Sequence, residues 1–553
     1  MRVRMAQRIL WLSVVALLLF SGLGYRLYGY QIGRHQELVE AVHSQRTQAL
    51  PLQMRRGRIL DRNGVVLTDP ASSFGVGLFP RLMGDLEAVE RQLARLLSPA
   101  QLAQVLAYAR STREPGWVGE SLTARQAEQV RALGLPGIVV GPTGQRYGHG
   151  SLARHLVGFA SDRQGGKLGL EAAFEQQLYG RNVPHYLAAF DGRGRPLFPE
   201  GIRRVEPRDP AGKQPYDLFT TLDAGVQGAV EAAMDRTFHP VGGPLRGAVV
   251  VLDVQTGEPL AIASRPQLNQ REGTGDQTNR ALIPYELGSV FKPLVAAWAL
   301  EQERVTPEER FECQGHYDLG KLSFRDAGGK AHGSVRLQEA IAWSCNVAFI
   351  QIGYERLGRT ELLEAARRFG LDRPTGLYPG AEEPVAPLPA LPYGGDVAQF
   401  SFGQAGLMAS PLQVARAYAA LANGGVLPPV RLVTAVRDPS GVVMDQPPPA
   451  ERPQRVISPE TAREVQEALG AVTDPRGQGT GRAAWLERFG AAGKTGSAET
   501  AREGRPVTHA WFAGWVPARQ PRYVIVVLIE DGQAGGLYAA PLFRRIGEAL
   551  LGV

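Results

Sequence analysis

The sequence predicts an α+β protein carried on a membrane anchor, and three observations support this. An uncharged apolar run stands near the N-terminus at residues 9–25. Patterns of buried strands, GAVVVLDV (247–254), PLAIAS (259–264) and YVIVVLIE (523–530), lie at both ends of the region from about 216 to 553. Helix-start signals fill the interval between them. Strands grouped at the ends with helices between predict a mostly antiparallel sheet flanked by helices.

The elements follow in order. Residues 9–25, ILWLSVVALLLFSGLGY, span about 26 Å as a helix, at the short end for a bilayer; with Arg26 snorkelling the span reaches residue 30. Arg2, Arg4 and Arg8 precede the run and no acid does. The positive-inside bias therefore predicts that this end stays in the cytoplasm and that the chain after Ile32 lies outside. A cleaved signal peptide, with Gly22-Leu23-Gly24 as its small-x-small site, and a buried core helix are the competing readings. Tyr25, Tyr28 and Tyr30 favour the anchor as an interfacial belt. Residues 33–50 read as a polar helix. Arg62-Asn63-Gly64 between two β-rich runs predicts a hairpin turn. Residues 81–135 read as loosely amphipathic helices, and 209–215 as a linker. The expected division is a tail 1–8, an anchor 9–30, an N-terminal unit 31–215 and a C-terminal unit 216–553. In the latter, Gln255-Thr256-Gly257-Glu258 turns a hairpin. Ser410-Pro411-Leu412-Gln413 and Ser458-Pro459-Glu460 open helices, and Asn423-Gly424-Gly425 ends the first of these.

Composition excludes several classes. With 61 Lys and Arg against 54 Asp and Glu, the net charge is +7 over 553 residues, too little to mark a nucleic-acid binder. Hydrophobic residues at 44% exclude disorder as the main state. Two cysteines, Cys313 and Cys345, exclude a disulfide scaffold and a four-cysteine zinc site. They could pair outside the cell, but a packed thiol is the simpler reading of Cys345. His332 and His509 show no ligand pattern in the sequence, so no metal or cofactor is expected.

Three motifs carry chemistry. In Ser289-Val290-Phe291-Lys292, positions i and i+3 share a helix face, so a lysine of lowered pKa can hold or accept the serine proton. Pro293 forbids a backbone bond that only a helix start can spare, and a helix start aims N–H groups at an oxyanion. In Ser344-Cys345-Asn346, the serine and the amide can project together from a loop while Cys345 points into the core. In Lys494-Thr495-Gly496-Ser497, flanking glycines permit close approach of another chain. A phosphate loop is rejected there, because its first glycine would fall at Arg488. Each motif alone recurs by chance.

Together, in this order and separated by 55 residues (289 to 344) and 150 residues (344 to 494), they are specific. The combination resembles the penicillin-binding transpeptidases. MRRGRILDRNGVVL (54–67), GGKLGLEAAFEQQLYG (165–180), TTLDAGVQ (220–227), FGQAGLMASPLQVARAYAALANGG (402–425) and HAWFAGWVP (509–517) resemble the class B, monofunctional, members. The resemblance covers nearly the whole chain after the anchor. It implies an elongated pedestal domain of the penicillin-binding protein dimerisation type, followed by a penicillin-binding/β-lactamase-like transpeptidase domain. It further implies Ser289 as acylated nucleophile, Lys292 as its base, and Ser344 and Asn346 as proton relay and donor-amide holder. Lys494 would be a supporting cation. Thr495, Gly496 and Ser497 would form the donor-carboxylate subsite, and the N–H groups of Ser289 and Ser497 the oxyanion hole. Glu171 and the Arg55, Arg56 and Arg58 cluster would be structural.

The implied activity is cross-linking of peptidoglycan stem peptides at the outer face of a bacterial plasma membrane, with β-lactams acylating the same serine. A D,D-carboxypeptidase and a non-enzymatic β-lactam receptor or scaffold are the rivals. The large pedestal argues against the first, and the intact triplet and a tail of about eight residues against the second. A β-lactamase is disfavoured by the absence of a Glu-based deacylation motif and by length. Nothing resembles a glycan polymerase, so a polytopic glycosyltransferase of the shape, elongation, division and sporulation (SEDS) type is the implied membrane partner. Asn346 in third place leans to division or sporulation members, whereas His509-Ala510-Trp511-Phe512 is similar to elongation members.

Overall fold

The computed structural model describes residues 2–34, 47–51, 56–68, 72–144, 146–148, 150–161, 165–179, 185–198, 201–205, 215–438, 440–502 and 504–553. Most of the expected polar helix at 33–50, nearly all of the expected linker at 209–215, and Arg55 lie outside them. The chain groups into two compact units. One comprises Met1–Arg55, Ala71–Gln145 and Arg181–Lys213; the other comprises Arg56–Pro70, Arg146–Gly180 and Gln214–Val553. This division differs from a single cut near residue 215, because two early segments join the second unit.

In the first unit, one helix runs over Arg2–Tyr28 and continues as a π-turn over Gly29–Gly33. The stretch from Leu10 to Ile32 is long and apolar enough to cross a membrane. Strand Ser72–Leu78 is central in a three-stranded antiparallel sheet between Gly116–Leu122 and Ile138–Gly144. Helices Leu86–Leu93, Pro99–Ser111 and Ala124–Ala132 cover it, burying Val89, Leu93, Val105, Ala127 and Val130 against Val76 and Leu78. Ser98 with Gln101 and Thr123 with Gln126 form capping boxes that satisfy the first free N–H groups. The expectation of helices over 81–135 holds except at Gly116–Leu122, whose weak alternation hides a strand decided by its pairing. Residues 47–50, expected as helix, form strand Thr47–Pro51, paired with His185–Ala189.

The second unit is built on a five-stranded antiparallel sheet in the order Pro259–Arg265, Gly247–Asp253, Tyr523–Ile529, Arg505–Val516, Ala492–Arg502. The unbroken apolar runs of the sequence arise because both faces are covered. Val249, Val251, Phe512, Ile525 and Val527 face helices Ala224–Asp235 and Ala540–Leu551. Val250, Leu252, Trp511, Ala513 and Val526 face a helical lobe that includes Lys292–Glu301, Pro411–Ala422 and Pro459–Thr473. The hairpin between the first two strands turns at Gly257 (φ 73°), and Asp253 accepts from the N–H groups of Gln255 and Thr256. The predicted caps Ser410 and Ser458 accept from the N–H groups of Gln413 and Thr461.

The early segments belong to this unit by their own contacts. Ile59–Leu60 adds a parallel edge to Asp217–Thr220, and Asp61 ties the Arg62-Asn63-Gly64 turn by accepting from Asn63 and Val65. Glu171 is fully buried and is held by Arg56, Arg146 and the Tyr147 hydroxyl. Removing one partner from such a buried pair costs about 3–5 kcal/mol, which supports the structural role expected of Glu171 and Arg56. His155 is buried nearby, its Nε2 2.9 Å from the carbonyl of Asp276.

Burial lowers the pKa of His155 from 6.5 to about 4. Its neutral ring thus contributes stability that is complete above the unfolded value. That contribution is lost as the pH falls from 6.5 towards 4, because the unfolded chain binds a proton that the folded ring refuses. The limiting slope is about 1.4 kcal/mol per pH unit. Urea midpoints measured between pH 7 and pH 4.5 should therefore fall more steeply for the wild type than for His155→Gln. Parallel curves would exclude this contribution.

Candidate active site

Ser289 lies where a short strand, Tyr285–Glu286, gives way to a 3-10 turn, Gly288–Phe291, and then to helix Lys292–Glu301. The turn resolves the problem posed by Pro293: the Ser289 carbonyl accepts from the N–H of Lys292 instead. Gly288 has φ +54°, and a Cβ there would stand 2.9 Å from the Ser497 carbonyl oxygen, so only glycine lets the turn lie against the edge strand. Three bonds fix the segment. Gly288 N–H donates to Gly403 O at 2.9 Å, Tyr418 Oη to Val290 O at 2.8 Å, and Trp511 Nε1 to Glu286 O at 3.0 Å. They account for the FGQAG, ARAYAAL and HAWFAGW segments. Just before it, Tyr285 Oη and Arg280 Nε both donate to Glu530 Oε1 at 2.8 Å, which ties the segment to the end of the central strand.

Lys292 is fully buried, with Nζ 5.5 Å above the Phe349 ring. It reaches Ser344 O and Asn346 Oδ1, each at 2.6 Å, and Ser344 Oγ at 3.2 Å. The expected projection of Ser344 and Asn346 to one side is therefore observed, with Cys345 wholly buried on the other. It is achieved by Ser344 in the left-handed region (φ 59°), where the preceding helix Leu337–Ala342 ends. A serine held there stores strain that its surroundings must offset. The Asn346 orientation is set by Nδ2 donating to Arg325 O at 3.2 Å and by N–H donating to Asp326 Oδ1 at 3.0 Å.

Burial pulls the Lys292 pKa from 10.5 down to about 8, against the opposing charge of Asp326. Its partners suit the neutral amine. Two of them, a carbonyl and an amide oxygen, can only accept and take its two N–H groups; the third, a hydroxyl, can donate to the lone pair. Lys494 lies in strand Ala492–Arg502, also fully buried, and donates to Thr495 O at 3.0 Å. Burial, and then the charge of Lys292, push its pKa well below the usual lysine value.

The edge strand alternates as anticipated. Lys494 and Gly496 pair with Ala513 and Trp511 on the lobe side, and a Cβ at Gly496 would meet Val290 Cγ1 at 2.9 Å. Thr495 turns to the other face and spends its hydroxyl on Thr480 Oγ1 at 2.6 Å, while Ser497 is exposed with Oγ 3.4 Å from the N–H of Gly535. Thr480 in turn donates its N–H to Ala342 O at 3.1 Å, joining the strand to the helix before Ser344. Sequence reading gave no individual role to Thr480, Phe349, Tyr418 and Asp326, which matter through contacts made across long separations. It also gave His332 no ligand neighbours, yet in the fold His332 Nδ1 stands 3.1 Å from Asp326 Oδ2 and 3.5 Å from Cys313 Sγ.

Residues 247–548 match the family model for the penicillin binding protein transpeptidase domain, and residues 51–197 that for the penicillin-binding protein dimerisation domain. The chain is 30% identical over 568 residues to a protein named probable peptidoglycan D,D-transpeptidase PenA of Neisseria meningitidis, covering 98% of this chain and 91% of that one. It is 29% identical over 579 residues to stage V sporulation protein D of Bacillus subtilis, covering 98% and 85%. Among solved structures it superposes on a chain of a peptidoglycan synthase complex, titled as coordinating polymerization and crosslinking, with a TM-score of 0.71 at 27% identity over 99% and 98% of the two chains. Apo penicillin binding protein 3 of Mycobacterium tuberculosis gives 0.63 at 26% identity, covering 91% and 97%. Motif geometry and whole-chain likeness agree: the chain belongs to the penicillin-binding protein transpeptidases.

Proposed function

We propose that this chain is a peptidoglycan D,D-transpeptidase acting through a Ser289 acyl-enzyme. The observation that carries this is the buried Lys292 amine, one helical turn from Ser289 and bonded to Ser344 and Asn346. Ser289 Oγ attacks the penultimate D-Ala carbonyl carbon of a stem peptide, and its proton passes to neutral Lys292. The N–H groups of Ser289 and Ser497 receive the developing oxyanion. Collapse expels the terminal D-Ala, whose amine is protonated through Ser344 Oγ. Asn346 holds the donor amide, and the exposed Ser497 hydroxyl takes the donor carboxylate. An amine of a neighbouring strand then attacks the acyl carbonyl and restores Ser289. A β-lactam follows the first step, but its leaving amine stays tethered to the acyl group.

Fluorescent penicillin should label the wild type covalently and leave Ser289→Ala unlabelled; equal labelling of both would sink the assignment. Lys292→Ala should lose at least about 10²-fold in acylation rate, the usual scale for a general base, and a smaller loss would point to another base.

The same reading places the first helix as an uncleaved single-pass anchor with the second unit outside the membrane, supported by the three arginines before the apolar span. The isolated protein should keep its N-terminal residues and remain with membranes in high salt, whereas an N-terminus near Tyr25 would mean cleavage. Cross-linking consumes glycan strands, so a SEDS-type polymerase is the partner this reading requires. The complex named for the structural relative supports that partnership. Leu17, Leu18 and Phe20 are exposed on the helix, and Gly22 and Gly24 leave room for close helix packing. Detergent co-purification should recover the polymerase with the wild type and lose it when an unrelated anchor is substituted. Equal recovery would remove the anchor from the contact.

A further inference from the structure

Strands His316–Leu319 and Leu322–Arg325 form a two-stranded hairpin, with His316 opposite Arg325 and Leu319 opposite Leu322. Side chains alternate between its two faces, and the faces differ. Tyr317, Leu319 and Phe324 are half-buried, and Tyr317 Oη donates to Glu355 Oε1 at 2.7 Å. A Cβ at Gly395 would meet Leu322 Cδ1 at 2.6 Å, so this face is closely packed. His316, Asp318, Ser323 and Arg325 are exposed on the other face.

Arg325 ends the hairpin beside the Ser344-Cys345-Asn346 turn. Asn346 Nδ2 donates to its carbonyl oxygen at 3.2 Å, and the N–H of the next residue, Asp326, donates to Gly315 O at 2.9 Å. The Arg325 backbone is thus fixed next to the Asn346 amide. The arginines of the flanking strand pair are engaged, Arg310 with Ser334 O and Arg336 with Glu339. Among the described residues, no hydrogen bond or ion pair engages the Arg325 guanidinium. Lys321 and Lys330 add exposed positive charge, whereas Asp318, the one exposed acid between residues 316 and 330, lies 3.5 Å from His316.

We propose that Arg325 binds a carboxylate on the stem-peptide residue before the penultimate D-Ala, and so makes the enzyme selective for acidic donors. This assignment rests on the Ser289 acyl-enzyme reading and adds a specificity-determining residue to it. Asn346 holds the amide that joins the penultimate D-Ala to the residue before it. Whatever that residue carries lies near Asn346, and Arg325 is the cation fixed there. A guanidinium presents two parallel N–H donors that match the two oxygens of a carboxylate. An ammonium at the same place meets repulsion, so the site selects the sign of the donor's charge.

The test compares acylation of the full-length protein in detergent by benzylpenicillin and by carbenicillin, which adds one carboxylate on the carbon next to the side-chain amide. That carbon stands where the residue before the penultimate D-Ala begins. In the wild type, the ratio of the carbenicillin rate to the benzylpenicillin rate should fall as sodium chloride rises from about 0.05 M to about 0.5 M, because salt screens an exposed pair. Arg325→Ala should lower the ratio about 10-fold, the scale of one hydrogen bond to a charged group, and Arg325→Lys should restore part of it. Ampicillin carries an ammonium at that carbon, and its ratio to benzylpenicillin should rise in Arg325→Ala. Lys321→Ala, about 13 Å away along the chain, should leave both ratios within about 2-fold. With peptides ending in D-Ala-D-Ala, Arg325→Ala should raise KM more when the preceding residue bears a side-chain carboxylate than when it bears the matching carboxamide. Ratios unchanged in Arg325→Ala, whether the separate rates hold or fall together, would overturn the proposal. An equal shift in Lys321→Ala would do the same, because the effect would then belong to the diffuse charge of the hairpin. Benzylpenicillin labelling by itself reports on Ser289, so failure of the acyl-enzyme reading and failure of the Arg325 assignment are told apart.

Discussion

Burying the amine of Lys292 is the constraint around which the second unit is arranged. A lysine amine removed from water is costly unless its N–H groups find acceptors, and here they find them in one short turn, Ser344 to Asn346. That single requirement brings together segments more than fifty residues apart in the chain. The serine at φ 59° belongs to the same arrangement: that backbone offers Lys292 both the Ser344 carbonyl and hydroxyl. The surrounding lobe, with Phe349 beneath the amine, excludes the water that would otherwise restore an ordinary lysine.

The second buried lysine follows from the first. Lys494 stands on the edge strand where the sheet meets the lobe, and its charge and that of Lys292 oppose each other in a medium of low polarity. The burial that destabilises the charged form of Lys292 brings its pKa down to about 8, within reach of base chemistry near neutral pH.

Close backbone approach supplies the rest of the precision. Gly288, Gly403 and Gly496 stand where any Cβ would meet a neighbouring backbone or side chain at 3 Å or less. Their absence of side chains lets the nucleophile turn lie against the edge strand. Glu530 then anchors that turn to the central strand through Tyr285 and Arg280, so the position of Ser289 is referred to the sheet and not to a loop.

Much of this was legible in the chain itself. The apolar span, the hairpin at Gln255–Glu258, the capped helices at Ser410 and Ser458, and the three motifs rest on local patterns of periodicity, capping and spacing, which a linear reading captures. Long-range pairing lay beyond it. Gly116–Leu122 is a strand because Ser72–Leu78 offers it an edge, and residues 56–70 and 146–180 join the second unit through Asp217 and the buried Glu171. The pairing of Thr495 with Thr480, and the meeting of Cys313, Asp326, His332 and Cys345, arise only when distant loops are folded onto one another. The sequence by itself determined which residues have the chemistry for acyl transfer, because those types and spacings are local. Only the tertiary structure decided which amine is desolvated and what each hydroxyl and thiol touches, because burial and partnership are properties of the packed chain.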